Sequence, residues 1–352
     1  MSTPTTPTSP TTATTAAMRL TTPGRWSDPG WRRAALAWAD AELGRSGVRR
    51  TGWSQPHVRP WSTVLRLETD LAGPVWLKAN GDGTRHESLV LGALAALGIP
   101  NTPFPLHTQD HEGWTLLPDG GPTSREAYGG RTPTGAMARI LAAYAETQRA
   151  TEPHVDRFVA LGVDDLRPDV MPAHLAALVD ELAAATGPAA LTTDDATRLR
   201  ALLPAYAEAC AELAAAGIAP ALQHDDLHDN NVFHRGPVFF DWGDAVVGHP
   251  FGTMLATLRS VAHHHGLDAG DPVLARLADA YTEAWTDVAD RATLRRQVEL
   301  AIRVGPLTRA LAWRRALTGC DDAAWAEDGD SVPGWLLELH EPALPLLPAT
   351  LG

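Results

Sequence analysis

The segment His224–Asn231 reads His-Asp-Asp-Leu-His-Asp-Asn-Asn, and the segment Asp241–Asp244 shortly after it reads Asp-Trp-Gly-Asp. Phosphoryl transfer needs a group that orients the attacking hydroxyl, and magnesium ions that bridge and neutralise the phosphates. Magnesium prefers oxygen ligands, commonly a carboxylate or two together with phosphate and water. The spacing therefore predicts Asp226 as the group that accepts or orients the hydroxyl proton. It predicts Asn231 and Asp241 as the metal ligands.

The two segments are expected to meet through a β-hairpin. Val232–Trp242 is the only β-like stretch expected in the second half of the chain, and the turn residues Arg235-Gly236-Pro237 lie within it. A hairpin at this turn would return Asp241 to the side of Asn231, at the end of a short apolar strand. The sequence therefore predicts one oxygen-rich site built from both segments.

The other polar residues of the motif are given supporting roles. His224 and His228 are expected to brace the loop through hydrogen bonds, because phosphoryl transfer needs no imidazole once the carboxylate is in place. Asp244 is interpreted as a helix N-cap or as a carboxylate behind the metal ligands. Two alternatives stay open: a solvated acidic loop, and a hydrolytic metal site formed by His224, Asp226 and His228. The hydrolytic site would leave the N-terminal half of the chain without a role.

The pattern His-x-Asp-Leu-His-x-x-Asn, followed by Asp-Trp-Gly, resembles the aminoglycoside phosphotransferase family, whose members are related to choline kinase. The resemblance covers roughly residues 45–320, with the motifs dense only at 224–244. It implies an α+β, two-lobed protein-kinase-like fold, with a small N-terminal antiparallel sheet plus helix and a larger, mainly helical C-terminal lobe. It also implies ATP as the phosphate donor, with GTP not excluded, and Mg²⁺ as the cofactor.

Two positions of the motif depart from the family, which often has glycine at both. They are Asp225 and Asn230. Asp and Asn adopt the left-handed backbone more readily than most residues, because their short polar side chains bond locally. The departures are therefore compatible with a loop that needs left-handed residues.

The resemblance also implies a lysine on the third strand that contacts the ATP phosphates, held by a glutamate of the next helix. Lys78, in a short apolar strand, and Glu87, in the predicted helix Arg85–Leu97, match these roles. A lysine at a strand end is more commonly a surface residue whose charge reaches water. Lysine is scarce in this chain, however, where arginine carries nearly all the positive charge.

The nucleotide is expected to meet two further segments of the N-terminal half. Arg59–Thr63 would cover the phosphates, with Ser62 and Thr63 as the contacting residues, although this loop is not glycine-rich. The hinge that faces adenine would follow the fifth strand, where Leu117 and Asp119 lie.

The acceptor pocket is expected in the helical lobe, below Asp226. The family implies acidic and aromatic residues there for cationic substrates, and an aromatic cage would suit a quaternary amine. A solvated helix end is an equally good interpretation of the same residues. The candidates are Asp321, Asp322, Trp325 and Glu327, with Asp328 and Trp313 beside them.

The composition excludes several classes of protein. The chain has 352 residues, 44% hydrophobic content and a formal net charge of −13 without any block of Lys or Arg, so no nucleic-acid partner is expected. The acidic balance suits a cationic ligand or ordinary solubility. The distant cysteines Cys210 and Cys320 favour a reducing cytoplasm. No apolar run approaches the ~20 residues of a membrane span, and monomer or dimer stays open.

The chain divides by composition into four parts. Residues 1–24 form a Thr/Pro-rich tail that is expected to be disordered, with Met18 as a candidate true start. Residues 25–118 are predicted as the N-terminal ATP-binding lobe and 119–132 as a hinge or linker. Residues 133–352 are predicted as the helical C-terminal lobe, with the catalytic loop and the acceptor site. Helices are predicted there at about 134–150, 171–185, 192–216, 272–289 and 291–316.

The predicted activity is an ATP-dependent transfer of the γ-phosphate to a hydroxyl of a small molecule. A cationic antibiotic or an amino sugar is one kind of acceptor, which would make the protein a candidate for antibiotic resistance. The alternatives are a kinase for choline-type amines, and a catalytically inactive nucleotide-binding regulator on the same fold. The partners are thus a nucleotide and a small hydroxylated acceptor.

Overall fold

Residues 24–71 and 73–340 are described by a computed structural model of the chain. The predicted tail before Gly24 and the candidate start at Met18 lie outside the described residues. Gly24, which was expected to belong to that tail, begins the first helix.

The N-terminal part combines two helices, a sheet and a further helix, as the fold prediction requires. A short helix precedes a long one whose N-cap is Asp28, and the Asp28 side chain accepts a hydrogen bond from the Gly30 amide at 2.5 Å. The elements are α1 Gly24–Ser27, α2 Pro29–Arg45, β1 Arg50–Val58, β2 Ser62–Thr69, β3 Val75–Asn80, α3 Glu87–Leu97, β4 His107–Gln109 and β5 Trp114–Pro118.

The five strands form one antiparallel sheet in the order β1-β2-β3-β5-β4. Strands alternate their side chains between two faces, so each strand of this sheet presents one set to α2 and another to the opposite side. On β3, Leu77 and Ala79 pack into the core beneath α2, together with Trp31 and Trp114. Lys78 therefore lies on the opposite face.

The C-terminal part is mainly helical, and this confirms the predicted fold class. The elements are α4 Ser124–Ala127, α5 Thr134–Thr151, α6 Val155–Ala160, β6 Asp164–Leu166, α7 Met171–Ala184, α8 Thr193–Ala215, β7 Ala221–Gln223, β8 Val232–Phe233, β9 Val238–Phe239, β10 Val246–Gly248, α9 Met254–His265, α10 Pro272–Thr282, α11 Arg291–Val304, α12 Pro306–Ala316, α13 Asp322–Asp328 and α14 Ser331–Leu337. Among the described residues, no helix is long and apolar enough to cross a bilayer.

Several element predictions for this part need correction. The helix predicted over 291–316 is two helices, since Pro306 cannot donate a backbone hydrogen bond and starts α12. The helix predicted over 272–289 ends as α10 at Thr282, and a 3₁₀ turn, Glu283–Trp285, follows. The β-like stretch at 232–242 is not alone, because β6, β10 and β7 form a second sheet. Strands of three residues are too short to show a period of two.

The two parts of the fold meet where the β3–α3 loop approaches the C-terminal end of α12. A Cβ atom at Gly83 would overlap the main-chain carbonyl of Arg315. Trp61, in the β1–β2 turn, contacts Trp313 of α12, with ring centroids 5.4 Å apart at an interplanar angle of 82°. Helix α12 therefore forms one wall of the cleft beneath the sheet.

We predict that Gly83→Ala destabilises the protein by about 1–3 kcal/mol, because the added methyl group must displace the backbone of α12. Gly92→Ala is the matched control. Gly92 lies inside α3 with nothing within 4 Å of an added Cβ, so the alanine there should stabilise the helix by about 0.5–1 kcal/mol. Urea unfolding measures both. Equal free energies of unfolding for the two variants would contradict the close approach of Gly83 to α12.

Candidate active site

The loop that carries Asp226 contains one residue with a left-handed backbone. That residue is Asp225, with a φ of 62°. Glycine adopts this conformation most easily, and here an aspartate adopts it instead. The buried side chain of Leu227 anchors the loop in the larger core. The Asn231 amide donates to the His228 carbonyl at 2.9 Å, so the loop closes on itself and brings Asn231 back towards Asp226.

The hairpin β8–β9 returns the chain to this loop, as predicted. Its turn contains Gly236 at a φ of 77°, and Val232 pairs with Phe239. Beyond the hairpin, the Phe240 amide donates to the Asn231 carbonyl at 3.1 Å. Asp241 follows directly, so the structure places both predicted metal ligands at one site.

Both histidines of the motif bond within the loop region. His224 is fully buried, and its Nε2 donates to the Phe240 carbonyl at 2.7 Å, which links the loop to the strand before Asp241. His228 Nδ1 accepts from the Asn230 amide at 3.2 Å, and its Nε2 lies 3.6 Å from Asp226 Oδ2. These contacts are of the bracing kind that the sequence suggested.

Lys78 links the sheet to helix α3 and to the segment that begins at Asp241. Its Nζ lies 2.7 Å from Glu87 Oε2 and 2.5 Å from Asp241 Oδ1. Burial alone would lower the pKa of Lys78, but the carboxylates of Asp241 and Glu87 outweigh burial and raise it above its ordinary value. Lys78 is also the only lysine in the 352-residue sequence. This ammonium therefore stays charged at the meeting point of sheet, helix and hairpin.

Glu87 is fixed by more than the lysine. Its side chain is 1% exposed, and it accepts hydrogen bonds from Asn80 Nδ2 at 2.6 Å and from the Trp242 amide at 3.0 Å. Because Trp242 follows Asp241, this carboxylate ties α3 to the Asp-Trp-Gly segment as well as to β3. Charge-assisted bonds of this kind are stronger than neutral ones.

Arg309, a residue that sequence reasoning missed, binds the catalytic loop from α12. Its guanidinium donates to the Asp225 carbonyl at 3.0 Å and to Asp244 Oδ2 at 3.1 Å. It also lies 3.5 Å from Asp226 Oδ1. The Arg309 side chain is only 8% exposed, and the Trp335 ring of α14 covers it at 5.7 Å. One buried cation thus contacts both motif segments.

The charge of Arg309 sets the ionisation of the aspartates around it. Burial alone would raise the pKa of Asp226, but the facing Arg309 and the bond from His228 hold it below its usual value. At Asp225 burial prevails, and the pKa stays raised despite Arg309. Asp244 lies at the end of a 3₁₀ turn and caps no helix, which corrects the N-cap interpretation. Its carboxylate instead accepts from Arg309.

A cavity of about 360 Å³ opens between the sheet and these segments. Lys78 and Ser62 line it from the sheet. Asp226, Asn231 and Asp241 line it from below. Its volume falls within the range of small-ligand sites. The structure therefore brings the predicted base, both predicted metal ligands and the predicted phosphate-contacting lysine to one cavity.

Thr63 does not reach this cavity, which corrects its assignment to nucleotide binding. Thr63 follows Ser62 on β2, so its side chain points to the opposite face, on the side of Leu65. It is fully buried, donates to the His57 carbonyl at 2.7 Å and accepts from Gln55 Nε2 at 2.9 Å. Its hydroxyl supports the β1–β2 turn rather than a ligand.

The side chains assigned to the hinge also lie outside the cavity. Asp119 Oδ1 accepts a hydrogen bond from Trp76 Nε1 at 3.0 Å, and Leu117 packs against the larger core. Phe233, which was not predicted as a site residue, contacts the hinge segment. A Cβ at Gly120 would overlap the Phe233 ring, which stacks on Phe240 with centroids 4.2 Å apart. The only sign of this contact in the sequence is that Phe233 is an apolar aromatic residue two positions after Asn231.

The residues proposed for the acceptor are placed elsewhere. Asp321 is the N-cap of α13 and accepts from the Ala324 amide at 2.9 Å. Trp325 packs against the larger core, and Asp322 and Glu327 are exposed to solvent. None of these four lines the cavity, because α13 begins a new helix beyond it. Trp313, named beside them, does line the cavity.

The donor atoms at Asn231 and Asp241 suit magnesium. Asn231 Nδ2 donates to the Asp226 carbonyl at 3.0 Å, which leaves the amide oxygen for a cation. The Asp241 side chain is 49% exposed and lines the same cavity. An amide oxygen and a carboxylate are hard donors that magnesium accepts. Among the described residues, no group of three or more His, Cys, Asp or Glu could hold a metal ion.

A family model described as the phosphotransferase enzyme family matches residues 77–295, more than half of the chain. Several solved structures share the fold. An aminoglycoside 2′-phosphotransferase-IIIa in complex with GDP is 13% identical, with a TM-score of 0.53 over 86% of this chain and 98% of that chain. A Plasmodium vivax ethanolamine kinase is 11% identical, with a TM-score of 0.55 over 84% and 83%.

A macrolide 2′-phosphotransferase apoenzyme from Brachybacterium faecium is 16% identical, with a TM-score of 0.53 over 85% of this chain and 97% of that chain. No curated protein sequence matches the chain significantly. At these identities the structural likeness shows the fold, while the family match rests on the sequence itself.

We predict that Arg309→Met destabilises the protein by about 3–5 kcal/mol, because it leaves the buried Asp225 carboxylate without its cation. Removing Arg309 raises the pKa of Asp225 further. An acid whose folded pKa is raised contributes most stability when protonated, so the deficit should shrink as the pH falls below neutrality. Urea unfolding at several pH values measures this.

The matched control is Arg296→Met, which breaks an exposed pair with Glu212 (48% and 44% exposed) and should cost less than about 1 kcal/mol. Adding Asp225→Asn to Arg309→Met should recover part of the loss, because it removes the unpaired charge. An Arg309→Met deficit as small as that of the control would contradict the role of this guanidinium.

Proposed function

Because the chain belongs to the phosphotransferase enzyme family, we propose that it transfers the γ-phosphate of a nucleoside triphosphate to a hydroxyl of a small molecule. One observation carries the proposal. Lys78, far from the motif in the sequence, lines one cavity together with Asp226, Asn231 and Asp241. Phosphoryl transfer is mainly positioning and charge stabilisation, and this set supplies both.

In the proposed mechanism Asp226 orients the acceptor hydroxyl and takes its proton as the oxygen bonds to the γ-phosphorus. The bond from that phosphorus to the β,γ-bridging oxygen breaks, and the nucleoside diphosphate leaves. Arg309 and His228 keep this carboxylate ionised and aimed. Lys78 holds phosphate oxygens, and Glu87 keeps the lysine in position. Mg²⁺ held by Asn231 and Asp241 would neutralise charge on the phosphates. Trp61 and Trp313, in edge-to-face contact, line the cavity on the side of α12.

The donor is ATP in this proposal, and GTP stays open. The aminoglycoside phosphotransferase of similar fold was solved with GDP, so the fold accommodates a guanine nucleotide. Pro118 at the hinge has no amide hydrogen, so a hydrogen bond to the base must come from a neighbouring residue. Phe233 packs beneath the hinge at Gly120 and would support the base as an apolar surface.

Proteins of similar fold are named for aminoglycosides, macrolides and ethanolamine. An antibiotic, an amino sugar and a choline-type amine are therefore all candidates on the fold alone. A catalytically inactive nucleotide-binding regulator is the alternative from a different class, and the complete set around the cavity speaks against it.

We predict that Asp226→Asn lowers kcat by about 10²–10⁴-fold, because the amide cannot accept the hydroxyl proton. ADP release with magnesium present measures turnover. Asp268→Asn, an exposed aspartate between α9 and α10, is the matched control and should leave turnover unchanged. Turnover of the Asp226 variant at the wild-type rate would remove this residue from the proposed role.

The single lysine allows a test of nucleotide binding that does not depend on the acceptor. An acyl phosphate of ATP, which acylates amines beside the bound phosphates, should label the chain at Lys78 alone. Excess MgATP should block the labelling, as detected by peptide mass spectrometry. Lys78→Arg should not be labelled, whereas Asp226→Asn should label like the wild type. Labelling that MgATP does not suppress would contradict the nucleotide site.

A further inference from the structure

We infer that the acceptor site takes an uncharged, hydroxylated ring compound that lies with an apolar face against Trp61 and Trp313, and that it disfavours polyamines. The inference rests on the proposed function, because it concerns the same cavity. It departs from the cationic acceptor that the sequence suggested.

One stripe of α12 forms the cavity wall beside Asp226. Arg309, Ala312, Trp313 and Ala316 all line the cavity, and their spacing of three and four residues places them on one helix face. The alanines leave space, while the tryptophan presents a broad apolar surface. Arg309 of this stripe lies 3.5 Å from Asp226 Oδ1, so the wall adjoins the proposed base, and we take it as the side from which an acceptor hydroxyl would approach.

Trp61 faces this stripe from the other lobe. Its carbonyl accepts hydrogen bonds from the Gly81 amide at 2.6 Å and from the Thr84 hydroxyl at 3.3 Å, so its backbone is fixed. The edge-to-face contact of the Trp61 and Trp313 rings leaves two large aromatic surfaces at the cavity. Aromatic surfaces of this kind are the usual anchors for flat, largely apolar ligand faces.

The charges of the cavity leave no free carboxylate for an ammonium group. Three carboxylates line it, and each faces a cation: Asp241 faces Lys78, while Asp226 and Asp244 face Arg309. Arg59 adds a further positive charge at the β1–β2 turn. The charged side chains that line the cavity are therefore three carboxylates and three cations, which offer a polyamine no surplus of negative charge.

The acidic residues of α13 do not replace the missing carboxylates. Glu327 and Asp328 lie outside the cavity, with Asp321 engaged as the N-cap. Arg59 is close enough to lower the pKa of Asp328, although burial and the neighbouring Glu327 raise it overall. These residues form a solvated helix end outside the cavity lining.

Matched pairs of acceptors test the inference through ADP release with MgATP. N-acetylglucosamine against glucosamine varies the charge, and phenyl glucoside against glucose varies the apolar face. We expect at least a tenfold higher kcat/KM for the uncharged member of the first pair and for the aryl member of the second. A preference for glucosamine, or for kanamycin over all sugars, overturns the inference. So does a panel in which no uncharged acceptor supports ADP release.

Variants locate the acceptor surface. Trp313→Ala should raise the KM for the preferred acceptor at least tenfold, with the KM for ATP unchanged, and Trp313→Phe should restore much of the loss. Trp53→Ala, at a tryptophan that is 41% exposed on β1, is the control and should behave as the wild type. Unchanged acceptor KM in Trp313→Ala, or a rise in Glu327→Gln instead, overturns the inference.

Different results would refute the proposed function and the proposed acceptor class. Loss of MgATP-protected labelling at Lys78 would refute the nucleotide-dependent function itself. Intact labelling together with a preference for aminated acceptors would refute the acceptor class alone.

Discussion

Buried carboxylates cannot lie side by side without cations among them, and this constraint organises the structure. Glu87, Asp225, Asp226, Asp241 and Asp244 converge from α3, the catalytic loop and the Asp-Trp-Gly segment. Each of the five faces one of two cations, Lys78 from the sheet or Arg309 from α12. Removing one partner of such a pair leaves an uncompensated charge in a medium that solvates it poorly.

The two cations also fix how the lobes face each other. Lys78 of β3 pairs with Asp241. Helix α12 packs against the β3–α3 loop, where Gly83 leaves space for the carbonyl of Arg315. Arg315 itself pairs with Asp164 at 2.7 Å and donates to the Gly243 carbonyl at 3.4 Å. Helix α12 therefore holds the Asp-Trp-Gly segment at two points. The same helix lines the cavity on the side where we propose that the acceptor binds. Helix α12 would therefore both position the Asp226 loop and contact the acceptor.

The sequence predicted most of the fold and part of the site. The hairpin at 232–242 follows from local residue chemistry, and the structure has it. Lys78 and Glu87 follow from the resemblance, and the structure brings them within 2.7 Å of each other. Predictions failed where the outcome depended on which face of an element is covered. Thr63 turns inwards because β2 alternates, and Asp321 caps a helix rather than facing a ligand.

By itself the sequence determined the residues on which the proposed chemistry rests: a carboxylate, an amide and a second carboxylate in one short motif. They could be predicted because their spacing is local, whereas the single lysine upstream followed from the family resemblance. Only the tertiary structure decided which cation faces those carboxylates and which surfaces line the cavity beside them. Arg309 lies far along the chain in a helix with many arginines nearby, and nothing in its local sequence distinguishes it. Its role exists only because packing carries α12 to the catalytic loop, where a buried charge must be balanced.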